Sequence, residues 1–446
     1  MKNTILPIVF LALAGAPASL LPSAIAQQRV AAQSTQAAPT PADQLATADL
    51  VRNAATMIAD NYVFPDVGRQ TAAMLSANLA AGDYDGLDAQ QLAQAISRDL
   101  REYTEDLHFG ARWQPPREPE AGEQPRRARP QPSGTYGFEK IERLEGNIGY
   151  IDLRGFNQAS AAAPAIHAAM RLMQGSNAII FDLRRNGGGD PETVQLLSSY
   201  LFDPSEPVHL NSLYFRPADE TTEFWTTPDI QSDAMPDTPV YVLTSGYTFS
   251  AAEEFTYNLK SLDRATVVGE TTGGGAHPVN GFEVGDGIML RIPVGRAINP
   301  ITGTNWEGAG VTPHIETPAA DALTTAHTLA LEAIVENDPS SPAAWALQML
   351  KIQLDPVTLG DKDLAEIAGT YGDRLIENRD GTLYYKRNGV GTDWRPLTPL
   401  ATDTFVVDGV DGFRMVLERD AQGDGQAITG IRGVYRDGPS DFSPRD

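Results

Sequence analysis

Residues 244–256 read Thr-Ser-Gly-Tyr-Thr-Phe-Ser-Ala-Ala-Glu-Glu-Phe-Thr: an apolar run ends in a polar turn, and a helical pattern opens at Ser250. Ser250 has two readings. With Glu253 three positions on, it forms the Ser-x-x-Glu capping box that starts many helices. At the junction of a strand and a helix it can also be an attacking hydroxyl, provided that an oxyanion-stabilising turn and a base stand beside it. Residues 181–191, Phe-Asp-Leu-Arg-Arg-Asn-Gly-Gly-Gly-Asp-Pro, offer such a turn, followed by a helix with Asp190 and Pro191 at its start. Converging N–H groups and a helix N-terminus suit an oxyanion. The same residues also read as a plain tight turn, and they fit neither G-x-G-x-x-G nor a P-loop.

The base is the open question. Lys260 lies ten residues further along the serine helix. At ~1.5 Å per residue it is roughly 15 Å away and out of reach. The next lysine in the chain is Lys351. Of the six histidines, His167, His209, His314 and His327 have no companion chemistry. His277 follows a glycine-rich loop close behind the serine helix, and His108 sits in Glu-Asp-Leu-His-Phe-Gly. Spacing does not separate these two, because triad partners need not be near in sequence.

Four short apolar segments rich in β-branched residues, at 147–153, 177–183, 239–245 and 264–270, have helical stretches between them. That alternation predicts βαβ units and a largely parallel sheet. In such a sheet the turn at 186–189 and the Ser250 junction open on one edge, beyond the carboxyl ends of the strands. Residues 281–295 predict a hairpin turning at Gly285-Asp286-Gly287. Apolar spacings of three and four predict helices from 49 to about 103 and again after 320. The last 85 or so residues alternate strand and turn, with breaks at Asp380-Gly381, Asn388-Gly389, Asp411-Gly412 and Asp424-Gly425.

The chain has 446 residues, a formal net charge of −24 and no cysteine. This excludes a thiol nucleophile and a disulfide framework, and it argues against nucleic acid as a partner, since phosphate binding needs basic patches. Lys2, an apolar stretch and Ala24-Ile25-Ala26 read as a signal peptide cleaved after Ala26. The expected destination is the periplasm or the exterior, with no stable membrane span. No H-E-x-x-H set points to a catalytic metal.

Four segments together resemble the tail-specific or C-terminal-processing serine peptidase superfamily. They are Gly-Asn-Ile-Gly-Tyr-Ile-Asp-Leu-Arg-Gly-Phe at 146–156, residues 179–189, residues 244–278, and 295–315 with Asn-Trp-Glu-Gly-Ala-Gly-Val-Thr-Pro. The branch they resemble contains interphotoreceptor retinoid-binding protein and the tricorn protease core. The likeness spans roughly residues 48–320 and implies an α/β fold with a crotonase-like β-β-α core. It also implies a serine peptidase acting on peptides or proteins, without metal or cofactor. Ser250 matches the family nucleophile. The lysine position of the processing branch is Gly275, whereas the Asp-x-His motif of the other branch is matched by Asp106-Leu107-His108. Leu107 stands where the tricorn-type core has a serine. Glu307 matches the acid in Glu-x-x-Gly-x-x-Pro, and the amides of Gly188 and Ala251 match the oxyanion hole. His277 remains the alternative base.

Fewer than 40 residues separate His108 from the 146–156 motif, too few for the PDZ domain that processing peptidases carry. The expected order is a signal peptide (1–26), a flexible leader (27–47), an N-terminal helical domain (48–113), a disordered linker (114–134), the peptidase core (135–320), a helical connector (321–360) and a small antiparallel β-domain (361–446). A rival reading keeps the fold and drops the chemistry: a carrier for a hydrophobic ligand such as a retinoid or lipid.

Overall fold

The computed structural model describes residues 41–115, 134–390, 393–420 and 427–446. The expected signal peptide, most of the expected linker and the Asp424-Gly425 turn lie outside the described residues.

Three helices come first: α1 (Pro41–Asn61), α2 (Pro65–Ala81) and α3 (Ala89–Thr104). α1 starts inside the stretch expected to be a flexible leader. The Pro-Ala-Asp-Gln-Leu sequence there combines a first-position proline with good helix formers, which composition alone did not reveal. Asp88 caps α3 in a full capping box: its carboxylate accepts from Gln91 N–H at 2.8 Å, and the Gln91 side chain accepts from Asp88 N–H at 3.0 Å. α3 turns Leu92, Ile96 and Leu100 inward onto the strand β1 (Gly110–Trp113), in a core cluster it shares with α1. Each such buried side chain contributes roughly 1.5–3 kcal/mol. This packing fixes the α3–β1 link, where His108 sits.

The central sheet starts with β2 (Phe138–Leu144) and β3 (Ile148–Leu153), followed by α4 (Ala159–Met173), β4 (Ala178–Asp182) and α5 (Pro191–Ser199). After the hairpin of β5 (His209–Phe215) and β6 (Glu220–Trp225) come β7 (Val240–Thr244), α6 (Ala251–Ser261) and β8 (Thr266–Gly269). Next are β9 (Val279–Gly285), β10 (Ile288–Pro293), β11 (Gly295–Ile298) and β12 (Ile315–Glu316). The sheet order is β12-β8-β7-β4-β3-β2, parallel throughout except for β2. β4 and β7 are direct neighbours, so the turns after them meet at one edge, as the alternation predicts. The β9–β10 hairpin turns on Asp286 and Gly287, both with positive φ (47° and 76°), the backbone that an Asp-Gly hairpin favours. β10 also pairs with β1, which ties the His108 segment to the core.

Helices α7 (Ala322–Asn337) and α8 (Ala343–Leu354) carry apolar residues into the cluster on one face of the central sheet. After α9 (Asp361–Ile367), eight antiparallel strands run in chain order from β13 (Gly369–Tyr371) to β20 (Asp441–Pro444). A bond from Asp446 N–H to the Thr370 carbonyl (3.1 Å) brings the two ends of this sheet together, so it is nearly a barrel.

Candidate active site

The two junctions are bonded to each other before any side-chain chemistry is considered. Phe249 N–H donates to the Asn186 carbonyl (3.1 Å), and Thr248 Oγ1 donates to the Leu183 carbonyl (2.8 Å). Gly188 has φ 101°, and a Cβ there would stand 2.7 Å from Ser250 Cβ, so only glycine lets this turn press against the serine. Ser250 itself has φ 57° and ψ −123°, an uncommon conformation for a residue with a side chain and one that neighbours must enforce. Glu253 does much of this. Fully buried, it accepts from the N–H groups of Ser250 (2.8 Å), Gly274 (2.7 Å) and Gly275 (2.8 Å) and from Thr272 Oγ1 (2.5 Å). Burial pushes its carboxyl up, and these donors pull against the shift. Half of the expected capping box is therefore present. The Ser250 hydroxyl makes no cap hydrogen bond, because its backbone is not in the extended conformation of an ordinary N-cap.

His108 comes from the N-terminal domain. Its N–H donates to Asp106 Oδ1 (3.0 Å), and its ring lies 4.7 Å from that of Phe249, the residue before the serine. It is 4% exposed, neither ring nitrogen has a hydrogen-bond partner, and burial pushes its pKa down to about 4. A Cβ on Gly275 would stand 2.5 Å from His108 Cε1 and 2.2 Å from Phe249 Cζ. A lysine at 275 and this placement of His108 exclude each other.

Behind the histidine is a buried acidic group. Asp106 Oδ2 accepts from His277 Nδ1 (2.7 Å) and from the Tyr62 hydroxyl (3.3 Å), and Asp106 Oδ1 lies 3.8 Å from His108 Nδ1. Glu307 Oε2 accepts from Ala276 N–H (2.5 Å) and lies 3.5 Å from His277 Nδ1, while Oε1 has no partner. Burial first, and the Asp106 charge second, push Glu307 up to about 7. Asp106, His108 and Glu307 each offer a ligand atom within 4.8 Å of the others.

A cavity of about 440 Å³ opens on this arrangement, with His108, Gly187, Ser250, Ala251, Glu254 and His277 in its wall. Residues 147–317 match peptidase family S41, and residues 43–143 match the N-terminal domain of peptidase S41 in eukaryotic IRBP. The chain belongs to peptidase family S41. It is similar to the chloroplastic carboxyl-terminal-processing peptidase 2 of Arabidopsis thaliana, at 34% identity over 37% of this chain and 31% of that protein. It is also similar to a carboxyl-terminal-processing protease of Synechocystis sp., at 31% identity over 34% of each. The crystal structure of the tricorn protease overlays with a TM-score of 0.44 and 13% identity, over 66% of this chain and 37% of that one. The match thus spans about a third of the length of these curated relatives.

In this S41 chain, Ser250, His108, His277 and Ala251 share one cavity, and Glu307 stands behind the two histidines. Gly188 touches the serine, but its N–H donates to Asn186 Oδ1 (2.8 Å), while Gly187 and Gly189 face the cavity. The other histidines are structural. His167 Nδ1 meets the Tyr200 hydroxyl, His209 stacks on Trp225, His314 Nδ1 accepts from Val267 N–H, and His327 Nε2 bonds the Glu145 carbonyl. Lys260 Nζ donates to the Thr312 carbonyl. Sequence reasoning gave no role to Asp106, although it lies in the quoted Asp-x-His motif, and it read Glu253 only as a cap. Glu254 gave no signal beyond its position four residues after Ser250.

Proposed function

We propose that the protein is an exported serine peptidase with Ser250 as nucleophile, His108 as base and Glu307 as the carboxylate that steadies the imidazolium. The fold read into it is a crotonase-like core without a PDZ domain, and export rests on the signal-like first 26 residues. The observation that carries the reading is the pairing of a strained Ser250 with His108 on one cavity wall, the ring nitrogens of the histidine being free of other partners.

The chemistry follows from these positions. With its pKa held near 4, His108 is neutral at physiological pH and can accept a proton. As Ser250 Oγ bonds to the peptide carbonyl carbon, its proton passes to His108. The carbonyl π pair moves onto oxygen, where N–H groups of Ala251 and of the 187–189 turn would meet it. Collapse breaks the C–N bond, and His108 returns the proton to the leaving nitrogen. Water then attacks the acyl carbon and gives a proton to His108, which returns it to Ser250 Oγ as the ester C–O bond breaks. Asp106 and Glu307 supply the negative charge that the transient imidazolium needs.

The test is hydrolysis of an unfolded protein by the wild type and by Ser250→Ala. The reading expects cleavage by the first and none by the second, with matching circular dichroism. Cleavage that survives Ser250→Ala removes the serine from the reaction.

A further inference from the structure

The cavity beside Ser250 has an end that the chemistry above does not use. Glu254 lies one helical turn beyond Ser250 on the same face of α6, and its side chain joins the cavity wall near Leu213, Ala297 and Trp306. It is 4% exposed, and its Oε1 has no hydrogen-bond partner. One turn further on, Asn258 is fully buried with Nδ2 unpartnered, and Asn211 on β5 is fully buried with its amide beside the Glu254 carboxyl. Asn211 comes close enough to pull the Glu254 carboxyl down, Asp190 pushes it up, and burial outweighs both. Neither neighbour brings a positive charge.

Buried polar atoms without partners are uncommon, and a free carboxyl oxygen in the wall of a cavity points to something that arrives. We propose that this end of the cavity is a specificity pocket for a basic side chain, lysine or arginine, on the substrate residue at the acyl side of the cleaved bond, with Glu254 as its counter-ion. This rests on the peptidase reading of Ser250. A lysine or arginine head brings only donors, which suits the free Oε1 of Glu254. Its methylene stem would run along the apolar wall of Leu213, Ala297 and Trp306. One turn of helix separates nucleophile from carboxyl, a rise of ~5.4 Å that such a side chain spans.

Two measurements test this. In a peptide library varied at the acyl-side residue, the wild type is expected to favour lysine or arginine over leucine at least tenfold in kcat/KM, and Glu254→Gln to abolish that ratio. A purely structural carboxyl would change stability and leave the ratio alone. A wild type without basic preference, or a ratio unchanged in Glu254→Gln, overturns the proposal. The second measurement is fluorescence binding of p-aminobenzamidine. Binding to the wild type and to Ser250→Ala that is lost in Glu254→Gln supports the pocket, even if no peptide is cut and the peptidase reading fails. Absence of binding to either protein overturns the pocket.

Discussion

On one side of helix α6, Glu253 is fully buried and accepts four hydrogen bonds, three of them from backbone N–H groups. Its sequence neighbour, Glu254, is also buried but leaves Oε1 without a partner and lines the cavity. Both carboxyls are raised by burial, yet Glu253 has four donors gathered around it, whereas the Asn211 amide alone pulls Glu254 down. A saturated carboxylate acts as a structural knot: it holds Ser250 in its strained backbone and fastens the 272–275 loop beneath His108. An unsaturated one is available to a ligand. The same residue type, one position apart, is thus turned to opposite uses by what the surrounding loops present to it.

The comparison can be broken at several points. The largest effect is expected from the base. His108→Ala should lower kcat/KM by ~10⁴-fold, as loss of a triad member does, and His277→Ala by far less. Peptide hydrolysis measured on both variants decides between them, and the reverse order would reassign the base to His277. Next is the knot itself. Glu253→Gln places an NH₂ group among N–H donors, so a loss of about 10²–10³ in kcat is expected, of the size seen when a catalytic oxyanion donor is removed, along with a lower Tm. Gly275→Ala puts a methyl into the His108 ring, and a ten- to hundredfold loss with near wild-type circular dichroism is expected, of the size a ~1 Å misplacement brings.

Smaller effects lie in pH. Glu307, raised to about 7, steadies the imidazolium only when ionised, so kcat/KM should climb as pH rises through about 7. His108 is already neutral there, and Glu307→Gln should flatten the climb. Glu254 binds its proton more tightly when folded, with a pKa of about 8 against 4.5 when exposed. Its contribution to stability is therefore full below the lower value and is lost as pH rises through the higher one. The Tm of the wild type should fall by a few degrees across this window, and that of Glu254→Gln should fall less.

Much of this was legible in the chain. Alternating apolar segments gave the parallel sheet, and adjacency of the β4 and β7 ends followed from that alternation. Asp286-Gly287 and Asp380-Gly381 marked hairpins because their backbones need positive φ. Ser250 was visible as a junction residue, but its own φ of 57° was not, since no propensity of serine announces it. Choosing among histidines by spacing failed for a physical reason: Asp106 and His277 meet across 171 positions, and such contacts come from packing alone. The committed amide of Gly188 was equally hidden, because it depends on which way the Asn186 side chain turns.

The most direct measurement is intact and peptide mass analysis after treatment with a fluorophosphonate. The expected result is a single adduct on Ser250, absent from Ser250→Ala and strongly slowed in His108→Ala. A folded wild type that takes up no label, or takes it up on another residue, contradicts the account.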